Sequence, residues 1–357
     1  MAAHMQANGN EPMTLQQLFG IELPIIQAPM AGSQGSVLAL AVSNAGGLGS
    51  LPCATLSLEV MRDELAAITA QTDRPINVNF FCHAMPTPNA EREMAWRAML
   101  APYYHKLEIE IESVQPSSGL VPFNAEFVEL LAQFQPAVVS FHFGLPSAEL
   151  LQRVRAWGAK ILSSATTVAE AQWLAAQGVD AVIAQGLEAG GHRGMFLSEE
   201  IDTQVGTFAL LPQIVRAVRI PVIAAGGIAD AQGVAAAISL GAAGVQVGTT
   251  YLLCPEATTS TVHRAALRSK TARHTALTNI FTGRPARAIA NQIVMELGPM
   301  SDVAPIFPMA SAAMAPLRAK AESQGSGDFS PLWAGQNASG CQEISAANLT
   351  RALVADL

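Results

Sequence analysis

The run from Ala184 to Gly194, AQGLEAGGHRG, gathers the residue types that could do chemistry. Gly190 and Gly191 let backbone approach a ligand closely or take φ > 0, and next to them stand His192 and Arg193. A histidine, with an unperturbed pKa of about 6.5, exchanges a proton near neutrality, and an arginine is a fixed positive charge. The pattern therefore puts a candidate base, His192, beside a backbone made for close approach. The competing account is an ordinary tight loop in which His192 and Arg193 are merely solvated.

Something must hold that run in place. It follows a mostly apolar segment, Val179 to Ile183, that reads as a buried strand, so the polar residues begin at the strand's C-terminal end. In a parallel α/β protein that end carries the chemistry. Similar segments recur at Pro24–Met30, Leu48–Leu51, Pro75–Phe81, Ala137–Phe143 and Lys160–Ala165, and again in PVIAAGGIAD and GVQVGTT. Between them lie helix signals: Ser36 to Asn44, Ser147 capping a helix with Gly158 as its stop, and a segment near Phe208 to Val218. Thr167 with Glu170 reads as a capping box for a helix ending at Gly178, and Asp230 caps an Ala-rich helix. Eight short strands alternating with helices from Pro24 to Thr250 predict a (β/α)8 TIM barrel with a smaller, mainly helical cap region. An open doubly wound sheet is the alternative, but no G-x-G-x-x-G follows the first strand.

Given a barrel, a phosphate commonly sits between the loops after the seventh and eighth strands, on backbone N–H groups. Here those loops are Ala225-Gly226-Gly227-Ile228 and Gln246-Val247-Gly248-Thr249-Thr250, which suit a phosphate monoester with little need of Lys or Arg. Asn77 and Asn79 share one strand face, and Asn79, nearer the C-terminal end, reads as a ligand contact; for Asn77 a partner in the neighbouring backbone is an equal account. With Gln185, these groups fit a flavin mononucleotide, FMN, across the barrel mouth, with the loop Gln27 to Gly32 (Ala28, Pro29 and Met30 within it) against the ring. His142, His192 and lid aromatics would line the pocket above it.

Composition narrows the classes. Of 357 residues, 50% are hydrophobic and only 13% charged, so the chain is not disordered, and a net charge of -8 argues against nucleic acid as a partner. The segment Ala231 to Pro255 has no charged residue, yet its glycines break it into a short helix, a turn and a strand, so no membrane span is expected. Cys53, Cys82, Cys254 and Cys341 stand apart without any C-x-x-C, which suits reduced, buried thiols in a cytoplasmic protein and no metal site. Residues 1–12 read as a disordered or appended leader, 13–260 as the FMN-binding barrel, 261–310 as a cap or lid, and 311–357 as a segment returning to the barrel mouth. Between Met85 and Phe127 an excursion, including the turn PSSG, is expected to carry one or two helices over the core. The late basic residues Arg264, Arg268, Lys270, Arg273, Arg284 and Arg287 are expected to form a solvated face.

The segments PIIQAPMAG, NVNFF, SFHFGLP, AQGLEAGGHRG, PVIAAGGI and GVQVGTTYLLCPEA resemble the class I nitronate monooxygenases, once called 2-nitropropane dioxygenases. The resemblance runs from Leu23 to Ala257 and returns in GDFSPLWAGQ. It implies flavin contacts at Asn79, Gln185, Gly190, Gly227 and the run Gln246 to Thr249, the catalytic histidine at His192, and a second pocket histidine at His142. Where some members present lid tyrosines and a lysine, this chain has Phe329, Trp333 and Asn337; Tyr103 or Tyr104 is left to supply a phenol. The implied reaction is oxidation of an alkyl nitronate such as propionate 3-nitronate by O2, through a flavin semiquinone, to a carbonyl compound and nitrite. His192 would abstract the α-proton of a neutral nitroalkane. Flavin-dependent enoyl reductases, NADH:quinone reductases and a non-catalytic flavin-binding protein are the alternative readings.

Overall fold

The computed structural model of the chain describes residues 13–110 and 120–357. The expected leader at 1–12 and the turn PSSG at 116–119 lie outside the described residues. Barrel strands β1 (Ile25–Gln27), β2 (Gly49–Pro52), β3 (Ile76–Phe81), β4 (Val138–His142), β5 (Lys160–Ala165) and β6 (Ala181–Gln185) are followed by a short outlying strand, β7 (Gly191–His192). The seventh and eighth barrel strands are β8 (Val222–Ala225) and β9 (Gly244–Val247). All eight barrel strands pair in parallel, in the order β1-β9-β8-β6-β5-β4-β3-β2. The ring closes between β1 and β2 through a bridge from Ile26 to Leu48, where the Gln27 N–H donates to Leu48 O at 2.9 Å and the Leu48 N–H to Ile25 O at 2.8 Å. This is the TIM barrel expected.

The strand residues alternate between two cores, as the two-residue period requires. Ile26, Val138, Leu162, Ile183 and Ile223 point inward and pack with Leu15, Leu18 and Phe19 of the short helix Leu15–Phe19, which stops one end of the barrel. Their neighbours Ile25, Val139, Ile161, Val182 and Val222 point outward against helix residues such as Leu38, Leu65, Leu131, Leu174 and Ile214. Each methylene so buried is worth about 0.8 kcal/mol. β1 is shorter than expected because the chain leaves the sheet at Ala28, ahead of Pro29.

Beyond the barrel, β10 (Thr275–Thr278) and β11 (Ala286–Ile289) form an antiparallel hairpin, and β11 also pairs with β7. The cap's helices Ala90–Lys106, Gln292–Leu297 and Ser311–Ser323 enclose a second core with Trp96, Leu100, Tyr104, Ile280, Phe281, Leu317 and Phe329. The excursion supplies Ala90–Lys106 and the start of Ala125–Phe134.

Three expectations are corrected. Thr167 accepts from the Glu170 N–H at 3.2 Å as a cap, but the Glu170 carboxylate does not close the box: buried, it takes the Thr166 N–H at 2.6 Å and hydroxyl at 2.7 Å, and the Phe196 N–H at 2.6 Å. Among the late basic residues, Arg268, Lys270 and Arg273 are exposed, whereas Arg264, Arg284 and Arg287 turn inward onto backbone carbonyls. Carbonyls near a barrel rim lack ladder partners, and a guanidinium with five donors satisfies several at once. Finally, all four thiols are free, but only Cys53 and Cys254 are fully buried; Cys82 and Cys341 are intermediate. Among the described residues no helix is long and apolar enough to cross a membrane.

Candidate active site

The C-terminal ends of the barrel strands, the β10–β11 hairpin and the C-terminal segment surround a cavity of about 510 Å³. Its lining holds Ala28, Pro29, Met30, Asn79, Gln185, Gly190, Gly191, Gly226, Gly227, Gln246, Gly248 and Thr249, together with His142, His192, Phe329 and Trp333. Val247 is different: its side chain is buried in the outer core, and only its carbonyl serves the rim, accepting the Ala28 N–H at 2.8 Å. Tyr103 and Tyr104 do not line the cavity. Tyr104 is buried with its hydroxyl donating to Ala313 O at 2.5 Å, and Tyr103 packs edge-on against Phe329 and bonds Glu296. The helix Ala90–Lys106 turns both rings into the cap core instead of the mouth.

His192 reaches the cavity because two different elements hold it. Its backbone is an edge strand of the cap, in register with Ala286. Its carbonyl oxygen accepts from Gln185 Nε2 at 3.0 Å and from His142 Nε2 at 3.1 Å. A carbonyl only accepts, so His142 carries its proton on Nε2, and its Nδ1, 3.1 Å from Ser164 Oγ, accepts from that hydroxyl. Both His142 nitrogens are thus committed to holding the loop. The His192 ring lies among Phe81, Phe143, Phe307 and Trp333, with centroids 5.3–6.1 Å away. Its Nε2 is 2.9 Å from Thr282 Oγ1.

Arg193 points the other way. Fully buried, it donates to Gly186 O and Gln185 O at 2.7 Å each and to Gln204 Oε1 at 3.0 Å, so it braces the loop from behind and is not solvated. Gly190 is glycine for a packing reason: a Cβ there would stand 2.6 Å from the Gly335 nitrogen. The C-terminal segment presses on this loop and on its neighbours. Gln336 N–H donates to Glu188 O at 2.9 Å, Asn337 Nδ2 to Gly227 O at 3.1 Å, and Gly335 N–H to Thr249 Oγ1 at 2.9 Å.

Other groups on the cavity lining are open. The Gly226, Gly227 and Gly248 N–H groups make no hydrogen bond to any described residue, and Gln246 Oε1 is buried without a partner. Asn79 spends its amide N–H on Ser140, at 2.9 Å to Oγ, and its side-chain oxygen makes no hydrogen bond among the described residues. Asn77 is sealed away from the cavity and donates to Ser50 Oγ at 2.9 Å, inside a buried polar cluster with Gln27 and Gln34.

Burial holds both cavity histidines neutral. Desolvation, with smaller contributions from His142, Arg284 and His83, pushes His192 down to about 3, and desolvation against its bond to the His192 carbonyl leaves His142 at about 4. His263, in the cap, is likewise driven to about 4 by burial. An unfolded histidine titrates near 6.5, so as pH falls through that value the unfolded chain binds protons that the folded chain refuses. The stability contributed by these groups is complete above about pH 6.5 and is lost progressively as pH falls toward the folded values. The melting temperature should therefore drop steadily between pH 7 and pH 4.5 in scanning calorimetry; a constant value would remove the neutral buried histidines.

The family model described as nitronate monooxygenase matches residues 12–356. This chain belongs to the nitronate monooxygenase family. It is 41% identical to a nitronate monooxygenase of Paraburkholderia phytofirmans over 96% of this chain and 94% of that one. It is also 41% identical to one of Pseudomonas aeruginosa, over 96% and 98%. Among solved structures it is similar to a nitroalkane oxidase from Streptomyces ansochromogenes, with a TM-score of 0.86, 37% identity and 96% and 97% of the two chains covered. FabK from Thermotoga maritima superposes with a TM-score of 0.70 at 26% identity over 96% of each chain. The chain is therefore an oxidoreductase, in a family of flavin-dependent enzymes.

Two residues of this nitronate monooxygenase family member escaped the sequence reading. Thr282 lies in the β10–β11 hairpin, ninety positions from the histidine it bonds, and no local pattern connects them. Arg318 is the one formally charged side chain in the described lining; its Nε is held by Glu322 at 2.8 Å, and its two terminal nitrogens have no partner among the described residues. Its helix, Ser311–Ser323, carries a second basic residue, Lys320, and no local pattern singles out Arg318.

Proposed function

We propose that this protein binds FMN at the barrel mouth and uses it, in the cytoplasm, to oxidise alkyl nitronates such as propionate 3-nitronate with O2 to a carbonyl compound and nitrite. The observation that carries this reading is that the cavity lining holds two sets of groups. One offers unpaired backbone N–H groups at Gly226, Gly227 and Gly248 and the orphaned Gln246 oxygen; the other offers a neutral imidazole among aromatic rings. Orphaned buried polar groups cost free energy unless a ligand meets them, and these are the donors and acceptor a phosphate monoester and a heterocycle rim need.

In this reading the glycine loops hold the phosphate, Asn79, Gln185 and Gln246 meet the ring system, and the flavin supplies the electron acceptor. The protein's own residues do the rest. Phe81 and Trp333 line the cavity and, with Phe143 and Phe307 packed around the His192 ring, keep water from the proposed base. His192 takes the α-proton from a neutral nitroalkane, and Arg318 offers its free guanidinium edge to the anionic end of a substrate.

The test is made on purified, flavin-replete protein. Acid-released cofactor should be FMN, propionate 3-nitronate in air should yield nitrite, and the flavin band should bleach anaerobically with nitronate but not with NADH. Fast bleaching by NADH with no nitrite would place the chain with the reductases, and intact flavin with neither response would leave a binding protein.

A further inference from the structure

His192 has two ring nitrogens, and a neutral imidazole carries its proton on only one. Which one decides whether it can act as a base toward the cavity. Nε2 lies 2.9 Å from Thr282 Oγ1, and the Thr282 hydroxyl in turn has the Arg284 carbonyl as its acceptor, at 3.4 Å. Arg284 O gives the threonine's single proton an acceptor other than Nε2, and with the proton turned there the hydroxyl lone pair is free to receive Nε2–H, the arrangement assigned here. That leaves the lone pair on Nδ1. This atom makes no hydrogen bond among the described residues and is not one of the buried atoms sealed without a partner, and His192 lines the cavity.

We propose that Thr282 is a positioning residue that holds His192 in its Nε2–H tautomer and thereby presents the basic Nδ1 lone pair to the substrate. The proposal rests on the reading of His192 as a base and goes beyond it by naming what makes it one. The arrangement has a structural logic. The β10–β11 hairpin fixes the His192 backbone through the pairing of Ala286 with His192, and the turn of the same hairpin carries Thr282 to the far side of the ring. One supersecondary unit thus sets both the place and the protonation pattern of the residue. His142 shows the contrast: its Nε2–H is spent on the His192 carbonyl and its Nδ1 on Ser164, so it has no lone pair left to offer.

The experiment compares Thr282→Val, which keeps the shape and removes the hydroxyl, with Thr282→Ser, which keeps the hydroxyl. The first readout is ¹⁵N NMR of the imidazole nitrogens at pH 7, with the His192→Asn variant identifying the His192 signals. Wild type and Thr282→Ser should show the Nε2–H tautomer, and Thr282→Val should lose it. The second readout is the kcat/KM ratio between a neutral nitroalkane and its pre-formed nitronate at equal flavin content. Thr282→Val should lower it roughly tenfold to a hundredfold, because the neutral form alone needs the base, while the nitronate value stays within about threefold of wild type. Thr282→Ser should restore the ratio. A wild-type His192 protonated on Nδ1, or equal losses on both substrate forms in Thr282→Val, or no change in either, overturns the assignment. If wild type oxidises neither form, it is the function proposed above that fails, and the NMR arm still reads the tautomer.

Discussion

Gly248→Val is expected to yield a colourless protein. The position lies on the cavity wall with an unpaired N–H, beside the equally unpaired Gly226 and Gly227 N–H groups. Its φ of -115° is open to any residue, so the loss would not come from backbone strain. A Cβ there would meet Ala28 Cβ at 3.3 Å and Met30 Sδ at 3.8 Å, a tolerable fit for one atom. Valine adds two further carbons at this crowded, cavity-lining position, where the proposed phosphate would need the room. Hydrogen bonds to a charged group are worth about 1.5–3 kcal/mol each, so displacing the phosphate from two of them weakens binding by roughly a hundredfold to ten-thousandfold. Gly248→Ala should keep most of the flavin. The measurement is the flavin-to-protein absorbance ratio after desalting, with the fold checked by circular dichroism. A yellow, fully loaded Gly248→Val would move the phosphate away from this loop. Gly190→Ala makes a poor substitute for this test, since its Cβ would strike the Gly335 backbone and disturb the C-terminal segment whatever is bound.

The barrel was legible because its signals are local. Lys160–Ala165 and Ser36–Asn44 are bounded in the structure where the sequence pattern puts them, since a two-residue or 3.6-residue pattern lies within a dozen positions. The glycine loops after β8 and β9 were legible for the same reason, and they meet at one cavity. What failed were inferences about where long side chains go. Glu170 sits at the right offset for a capping box, but the Phe196 and Leu197 N–H groups, some twenty-six positions on, present stronger claims on its carboxylate. Arg193 and Arg287 look like surface charges, yet the rim carbonyls of Gln185, Gly186 and Leu187 need donors and take them. The rings of Tyr103 and Tyr104 went into the cap core because its helices supply apolar partners there and, for Tyr104, the Ala313 carbonyl accepts the hydroxyl. Thr282 shares this character: its role exists only once β7 has joined the cap sheet.

His192→Asn should separate the two substrate forms. A neutral nitroalkane has to lose a carbon-bound proton before it can be oxidised, and a positioned base contributes about 10²–10⁴-fold to such a step. The nitronate has lost that proton already. Asparagine keeps a polar side chain that can still bond Thr282, but it cannot accept a proton near pH 7, so kcat/KM for the neutral form should fall by roughly 10²–10⁴-fold while that for the nitronate falls far less. Wild type carries a further signature. Burial holds the His192 pKa near 3, so the imidazole remains an available base well below 6.5, and the acid limb for the neutral substrate should lie under pH 5 instead of at the ordinary histidine value. That limb should be missing in the variant. Stopped-flow reduction of the flavin under anaerobic conditions measures both forms in one flavin-replete preparation, so that loss of cofactor is not mistaken for loss of a base. Equal losses on the two forms would take proton abstraction away from His192 and leave it only the placing of substrate. No loss on either would mean that the aromatic cage, the Gln185 and His142 bonds to its carbonyl and the Thr282 contact hold the ring for the fold alone.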